Sequence, residues 1–136
     1  AANDAQFGMP EVRLGSPTIV GAMRLPRRVG MQRALELLLT GDRIDAGRAQ
    51  AVGLVNRVVD DGAALDAAVE LAEAIAGNGP LAVAATKEVV LSAPSWSPDE
   101  VWERQDEVVR PVFASDDARE GSTAFAERRP PVWRGR

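Results

Sequence analysis

Strand-like segments are few and short in this chain, whereas most of its sequence has helical spacing. Residues 6–7, residues 12–14 and the valine-rich residues 54–59 each predict a short strand. Two or three strands of this length do not form a stable sheet unless other strands pair with them. The chain also begins without Met and enters a strand almost at once. Both observations suggest that the N-terminal part of a larger domain is absent. A processed N-terminus is the alternative explanation.

Amphipathic helices are predicted wherever apolar residues recur every three or four positions between capping residues. The predicted helices cover residues 17–24, 31–40, 46–52, 63–76, 80–91, 98–113 and 117–127. The expected N-caps are Ser16, Asp45, Ser97 and either Ser115 or Asp116, and the expected C-caps are Gly41 and Gly53. Residues 26–30 and 93–95 are expected to form a turn and a loop, and Pro111 is expected to kink its helix. Residues 128–136 are predicted to be extended.

The residue types that are missing exclude several kinds of chemistry. The 136 residues include no histidine, no cysteine and no tyrosine. Zinc fingers, Ser–His or Cys–His nucleophile pairs, haem ligation by histidine and disulfides are therefore excluded, and no metal site is predicted. Acid–base chemistry must come from Asp, Glu, Arg or the single Lys87.

Charge and motif content argue against several partners. The net charge of −4 is unlike that of a general nucleic-acid binder, which carries a basic face. The glycines form neither GxGxxG nor GxxxxGK[ST], so nucleotide binding of those types is unsupported. No apolar run approaches the ~20 residues of a membrane helix, and no secretory leader is visible. The sequence predicts a cytoplasmic protein that binds neither membrane nor nucleic acid.

Glu11 is the first candidate for chemistry. It follows Pro10 at a tight turn, and the segment after Gly15 opens a helix. A carboxylate beside a helix start and a glycine-lined cleft can give or take a proton. A solvated loop residue is the alternative interpretation from these local features.

Two groups of arginines are candidates for binding an anion, and each has an ordinary alternative. The first group consists of Arg24, Arg27 and Arg28, which also suit a solvated helix end. The second group lies in the tail and also suits a solubilising role; it consists of Arg128, Arg129, Arg134 and Arg136.

Four segments in the same order resemble the crotonase superfamily, the enoyl-CoA hydratase/isomerase group. Residues 5–15 resemble the A-x-F-x-x-P-E-x-x-x-G stretch, and residues 24–30 carry an R-L-P-R-R-V-G segment before a helix that ends in L-T-G. Residues 44–59 are similar to I-x-A-x-x-A-x-x-x-G-L-V-x-x-V. Residues 115–131 are similar to the S-x-D-x-x-E-G-x-x-A-F-x-E-K/R-R-x-P ending. The resemblance covers essentially the whole chain.

The resemblance implies an α/β (α+β) fold, the crotonase-like ββα spiral, of which this chain is the mostly helical C-terminal portion with two or three short strands. Family members are about twice this length, and the match starts in the middle of the family domain. Their N-terminal half supplies most of the spiral, the oxyanion-hole N–H groups and a second catalytic glutamate. The resemblance implies that residues 1–60 end the spiral core and that residues 61–136 form a helical oligomerisation or lid region.

The resemblance also implies roles for particular residues. Glu11 aligns with the glutamate that moves protons near the α-carbon of the acyl chain. Gly15 and Ser16 fall in the stretch that borders the acyl pocket. Arg128 falls at a basic tail position whose side chain, in some members, approaches the CoA phosphates. The CoA thioester is the substrate, no separate cofactor is implied, and the full-length form is expected to be a homotrimer or hexamer.

The function implied is hydration or isomerisation of an enoyl-CoA through a thioester enolate, within fatty acid metabolism. The isolated chain is expected to be inactive because it lacks the oxyanion-hole segment. Residues 16–23 hold fewer glycines than hydratases often do, so isomerase, racemase-type and dehydratase chemistry stay open. The alternatives are a non-catalytic oligomerisation or binding half-domain and an unrelated helical regulatory domain.

Overall fold

Helices dominate the computed structural model, which describes residues 1–136. The two strands are β1 (Gln6–Phe7) and β2 (Ile44–Asp45), and two short 3-10 helices cover Pro10–Leu14 and Ala93–Ser95. The α-helices are α1 (Ile19–Arg24), α2 (Pro26–Val29), α3 (Met31–Thr40), α4 (Ala46–Ala51), α5 (Ala64–Ala76), α6 (Pro80–Ser92), α7 (Val101–Phe113) and α8 (Asp116–Glu127). The chain has two compact units, Ala1–Val69 and Glu70–Arg136. No helix is both long and apolar enough to span a membrane.

The sheet contains only two strands, which pair antiparallel. Gln6 lies opposite Asp45, and Phe7 lies opposite Ile44. The sequence predicted β1 but not β2, where Asp45 was expected only as the N-cap of the next helix.

The predicted strand at residues 12–14 is wrong, because this segment belongs to the 3-10 helix Pro10–Leu14. Pro10 at the first helical position favours that start, since its φ is already helical. The helix ends at Gly15, whose φ of 74° is left-handed, and the Gly15 N–H donates to the Val12 carbonyl at 3.2 Å.

The predicted strand at residues 54–59 is also wrong. The N–H groups of Leu54 and Val55 donate to the Ala49 carbonyl at 2.8 and 3.3 Å, so they close the end of α4. The segment's nearest approach to a strand is an isolated parallel bridge between Val59 and Ala2.

The core of the first unit lies between α1–α4 and β2. Its buried apolar residues are Leu25, Val29, Ala34, Leu37, Leu38, Ile44 and Ala49. Val29 explains why the expected turn at 26–30 is wrong: residues 26–29 form α2, which buries this side chain against α3. Burial of a valine outweighs the turn signal of the flanking proline and glycine.

Local capping signals placed several helix ends as predicted. Gly41 ends α3 with a left-handed φ of 64°. The Asp45 carboxylate accepts the Arg48 N–H at 2.7 Å and caps α4. The Ser115 hydroxyl accepts the Ala118 N–H at 3.0 Å and caps α8. The expected helices α5 and α6 are also confirmed.

Other predicted boundaries were wrong by a few residues. α1 begins at Ile19 with Thr18 as its N-cap, so Ser16 does not cap it. α7 begins at Val101, because residues 98–100 form a turn after Ser97. The expected loop at 93–95 is a 3-10 helix.

Candidate functional site

Glu11 lies on the 3-10 helix Pro10–Leu14, at the edge of a cleft in the first unit. The Ser16 N–H donates to the Glu11 carbonyl at 3.1 Å, so the chain turns back directly after Leu14. The Glu11 side chain is half-buried. Pro10 and Gly15, which bound the 3-10 helix, therefore position the Glu11 carboxylate in the fold.

The cleft beside Glu11 has a volume of about 530 Å³. Apolar side chains form much of its wall, and these include Met9, Ile19, Val20 and Leu25. Apolar walls suit an alkyl chain, and one carboxylate among them can act as an acid or base there.

Two of the three predicted anion-binding arginines of the first unit line the same cleft. Arg24 and Arg28 are its only charged lining residues besides Glu11. From the sequence alone, Glu11 and these arginines were predicted as two separate candidate sites. The turn at Gly15 and the short α1 bring them to one cleft.

Thr18 contacts the Glu11 carboxylate, which sequence reasoning missed. The Thr18 hydroxyl donates to Glu11 Oε2 at 3.1 Å, and both side chains are at least partly buried. The residues are seven positions apart. In a helix that spacing is two turns, about 10.5 Å along the axis, and in a strand it is longer still, so neither element would bring the two side chains within hydrogen-bond distance. Only the reversal of the chain after Leu14 signals the contact, and the sequence had predicted a strand there.

Gly15 and Ser16, the other predicted residues of this region, lie in the exposed turn that follows Glu11. They adjoin the site along the chain, but neither is among the residues that line the cleft. A side chain added at Gly15 would meet no atom within 4 Å, so the glycine is required there by its left-handed φ rather than by space.

Arg128, the remaining predicted site residue, lies in the second unit at the end of α8. Its φ of 54° is the only left-handed value at a non-glycine residue. The N–H groups of Arg128 and Arg129 donate to the Phe125 and Ala124 carbonyls at 3.2 and 3.0 Å. These bonds fix the backbone turn at Arg128, whose side chain is exposed.

Two of the four tail arginines are paired with carboxylates. Arg129 donates to both oxygens of Glu120, at 2.6 and 3.0 Å, and to Glu127 at 2.6 Å. Arg129 and the Val132 N–H lower the pKa of Glu120 to about 2. Arg136 lies 3.7 Å from Asp116. Arg129 and Arg136 therefore already have carboxylate partners within the protein, so they are poorly placed to hold a phosphate.

The comparisons with known proteins identify relatives over the whole length of the chain. The family model described as enoyl-CoA hydratase/isomerase matches residues 1–136. Enoyl-CoA hydratase EchA19 of Mycobacterium tuberculosis is 41% identical over 137 residues, covering 100% of this chain and 52% of that relative. Carnitinyl-CoA dehydratase of Citrobacter koseri is also 41% identical, covering 99% of this chain and 54% of that relative.

Solved structures match to the same extent. The crystal structure of enoyl-CoA hydratase EchA1 from Mycobacterium marinum has a TM-score of 0.92 and 50% identity, over 99% of this chain and 54% of that one. The chain therefore spans about half the length of the relatives it matches.

Proposed function

Because this chain belongs to the enoyl-CoA hydratase/isomerase family, we propose that it is part of an acyl-CoA enzyme that hydrates or isomerises an enoyl-CoA through a thioester enolate. The observation that carries the proposal is the Glu11 carboxylate at the edge of a largely apolar cleft. The relatives' names, enoyl-CoA hydratase and carnitinyl-CoA dehydratase, support chemistry that adds or removes water.

Glu11 is the proposed acid and base. In isomerisation its carboxylate takes a proton from the acyl chain and returns it at another carbon of the same allylic system. In hydration, water adds at the β-carbon and gives up one proton to a base, for which we propose the second glutamate that the resemblance assigns to the N-terminal half. Protonated Glu11 gives its proton to the α-carbon, so one proton is taken up and one is delivered. A positioned acid or base of this kind contributes roughly 10²–10⁴-fold to the rate.

The oxyanion hole is the second requirement of this chemistry, because the enolate oxygen needs N–H donors. The resemblance assigns these donors to the N-terminal half of the family domain. Loss of one oxyanion donor costs roughly 10²–10³ in kcat. We therefore expect the 136 residues by themselves to be inactive and the complete gene product that contains them to be active.

Three further residues are proposed to bind substrate. Gly15 and Ser16 do not line the cleft, and they are proposed to border the acyl pocket from the exposed turn that follows Glu11. The exposed Arg128 side chain is proposed to approach the CoA phosphates. A guanidinium suits this task because it offers several donors to phosphate oxygens. The CoA thioester is the substrate, and no separate cofactor is proposed.

Replacement of Glu11 by glutamine tests the proposal, since glutamine has a similar shape but cannot carry the proton. Hydration of crotonyl-CoA and isomerisation of 3-enoyl-CoA are measured in the complete gene product. The matched control is Glu88→Gln, at an exposed position of α6. We expect both rates to fall about 100-fold or more with Glu11→Gln and to stay unchanged in the control. Unchanged turnover with Glu11→Gln would remove the assignment.

A non-catalytic oligomerisation module is the second candidate function. Large apolar side chains on α7 and α8 favour it: Trp102, Phe113 and Phe125 are 74%, 78% and 87% exposed. Side chains of this kind often mark an interface. Sedimentation and crotonyl-CoA binding on the 136-residue chain distinguish the two candidates, because a folded trimer that binds no CoA ester supports the module.

A further inference from the structure

The hydroxyl of Thr18 is the one protein donor on the Glu11 carboxylate. Thr18 Oγ1 lies 3.1 Å from Glu11 Oε2, within hydrogen-bond distance. The other carboxylate oxygen, Oε1, accepts no hydrogen bond from the protein. One oxygen is therefore held while the other is left for a reacting group.

The Thr18 hydroxyl bonds to Glu11 rather than capping the helix that begins after it. Thr18 is the N-cap of α1, with an extended backbone at φ −77° and ψ 111°. Threonine at an N-cap commonly accepts a hydrogen bond from an amide of the first helical turn. Here the side chain makes no capping hydrogen bond. The hydroxyl is committed to Glu11 instead of to the helix.

The buried Gly21 leaves the space that this arrangement occupies. A Cβ atom at Gly21 would lie 2.6 Å from Thr18 Cγ2 and would collide with the sulfur of Met9. Gly21, Met9 and Glu11 all line the same cleft. The packing around Gly21 therefore restricts where the Thr18 side chain can lie, and with it the direction of its hydroxyl.

We propose that Thr18 is a positioning residue, whose hydroxyl holds Glu11 Oε2 so that Oε1 faces the acyl chain. This inference rests on the proposed function, in which Glu11 moves the proton. A general base must come within about 2.6–3.2 Å of the proton donor. A carboxylate free to rotate satisfies that requirement for only part of the time, so the loss falls on turnover rather than on substrate binding.

Thr18→Val and Thr18→Ser form the test, made in the complete gene product. Valine keeps the branched shape and removes the hydroxyl, whereas serine keeps the hydroxyl. Thr123→Val is the matched control, because its hydroxyl bonds only to the Arg119 carbonyl on α8. Thermal unfolding checks that each variant folds.

The first readout is the Glu11 side-chain rotamer, measured from three-bond NMR couplings. We expect one χ1 rotamer in wild type, Thr18→Ser and Thr123→Val, and averaged couplings in Thr18→Val. A single wild-type rotamer that persists in Thr18→Val would overturn the inference. This result does not depend on activity.

The second readout is kinetic. We expect Thr18→Val to lower kcat about tenfold or more with KM within about twofold, the effect of losing a hydrogen bond to a charged group. Thr18→Ser should keep most of the wild-type kcat. If Glu11→Gln is inactive and Thr18→Val has the same kcat as wild type, the inference is overturned. Full activity of Glu11→Gln would instead remove the proposed function, and the NMR result would still decide the role of Thr18.

Discussion

Replacement of Asp117 by alanine should release the end of the chain, which we call the C-terminal strap (residues 129–136). The Asp117 side chain is buried, with only 4% of the residue exposed. Its two carboxylate oxygens accept the N–H groups of Arg134 and Gly135 at 2.7 and 2.9 Å. The Asp117 N–H in turn donates to the Arg136 carbonyl at 3.1 Å.

The size of the effect follows from these bonds. Each hydrogen bond to a charged group contributes roughly 1.5–3 kcal/mol. These values are already net of the bonds that the released amides make to water, so we expect a loss of at least about 3 kcal/mol in the free energy of unfolding from the two bonds together. Detachment of the strap would also remove the contacts of Trp133, and this adds to the loss of stability. The Trp133 indole packs over Gly79 and Gly121, and its N–H donates to the Gly77 carbonyl at 2.8 Å.

Urea denaturation and hydrogen exchange measure the prediction. Asp116→Ala is the matched control, because it removes a carboxylate from the same helical turn. The only interactions lost in this variant are exposed ion pairs with Arg119 and Arg136. Exposed pairs contribute about 0–1 kcal/mol. The amides of Arg134 and Gly135 should lose protection in Asp117→Ala alone. Equal stability and equal protection in the two variants would refute the reasoning.

Three other predictions concern charge, space and backbone. The pKa of Glu120 is lowered to about 2 by Arg129, so its contribution to stability is present above pH about 4.5 and is lost as the pH falls toward 2. Glu120→Gln should flatten the pH dependence of unfolding in that window, and an unchanged profile would contradict it. Gly21→Ala should destabilise the chain by roughly 1–3 kcal/mol in urea denaturation, because the added methyl collides with the Met9 sulfur and with the Thr18 methyl; wild-type stability would show that the site has room. Arg128→Gly should stabilise the chain by about 1 kcal/mol by relieving the left-handed φ, yet weaken CoA binding in calorimetry. Unchanged CoA affinity would remove Arg128 from the proposed site.

Features that depend on a few neighbouring residues could be predicted from the sequence. Gly41 ends α3 and Asp45 caps α4 because these residues act on their own helical turns. The strands were harder, because residues 12–14 alternate as a strand would and yet lie between Pro10 and Gly15, which bound a 3-10 helix.

In the candidate site, too, features that depend on packing between segments could not be predicted from the sequence. The family resemblance singled out Glu11, and the prediction that it is the acid/base residue remains to be tested. Neither spacing nor composition could place Arg24 and Arg28 along the same cleft, because that depends on how α1 and α2 pack. The bond from Thr18 was missed for a related reason: it requires the reversal of the chain at Gly15.

Deuterium exchange at the α-carbon of a saturated acyl-CoA tests the central claim most directly, because it isolates the proton transfer assigned to Glu11. Butyryl-CoA is incubated in D₂O with the complete gene product, and the α-proton signal is followed by NMR. Wild type should exchange the α-proton, and Glu11→Gln should slow the exchange about 100-fold or more, whereas Glu88→Gln should not. Exchange at the wild-type rate in Glu11→Gln would contradict the account.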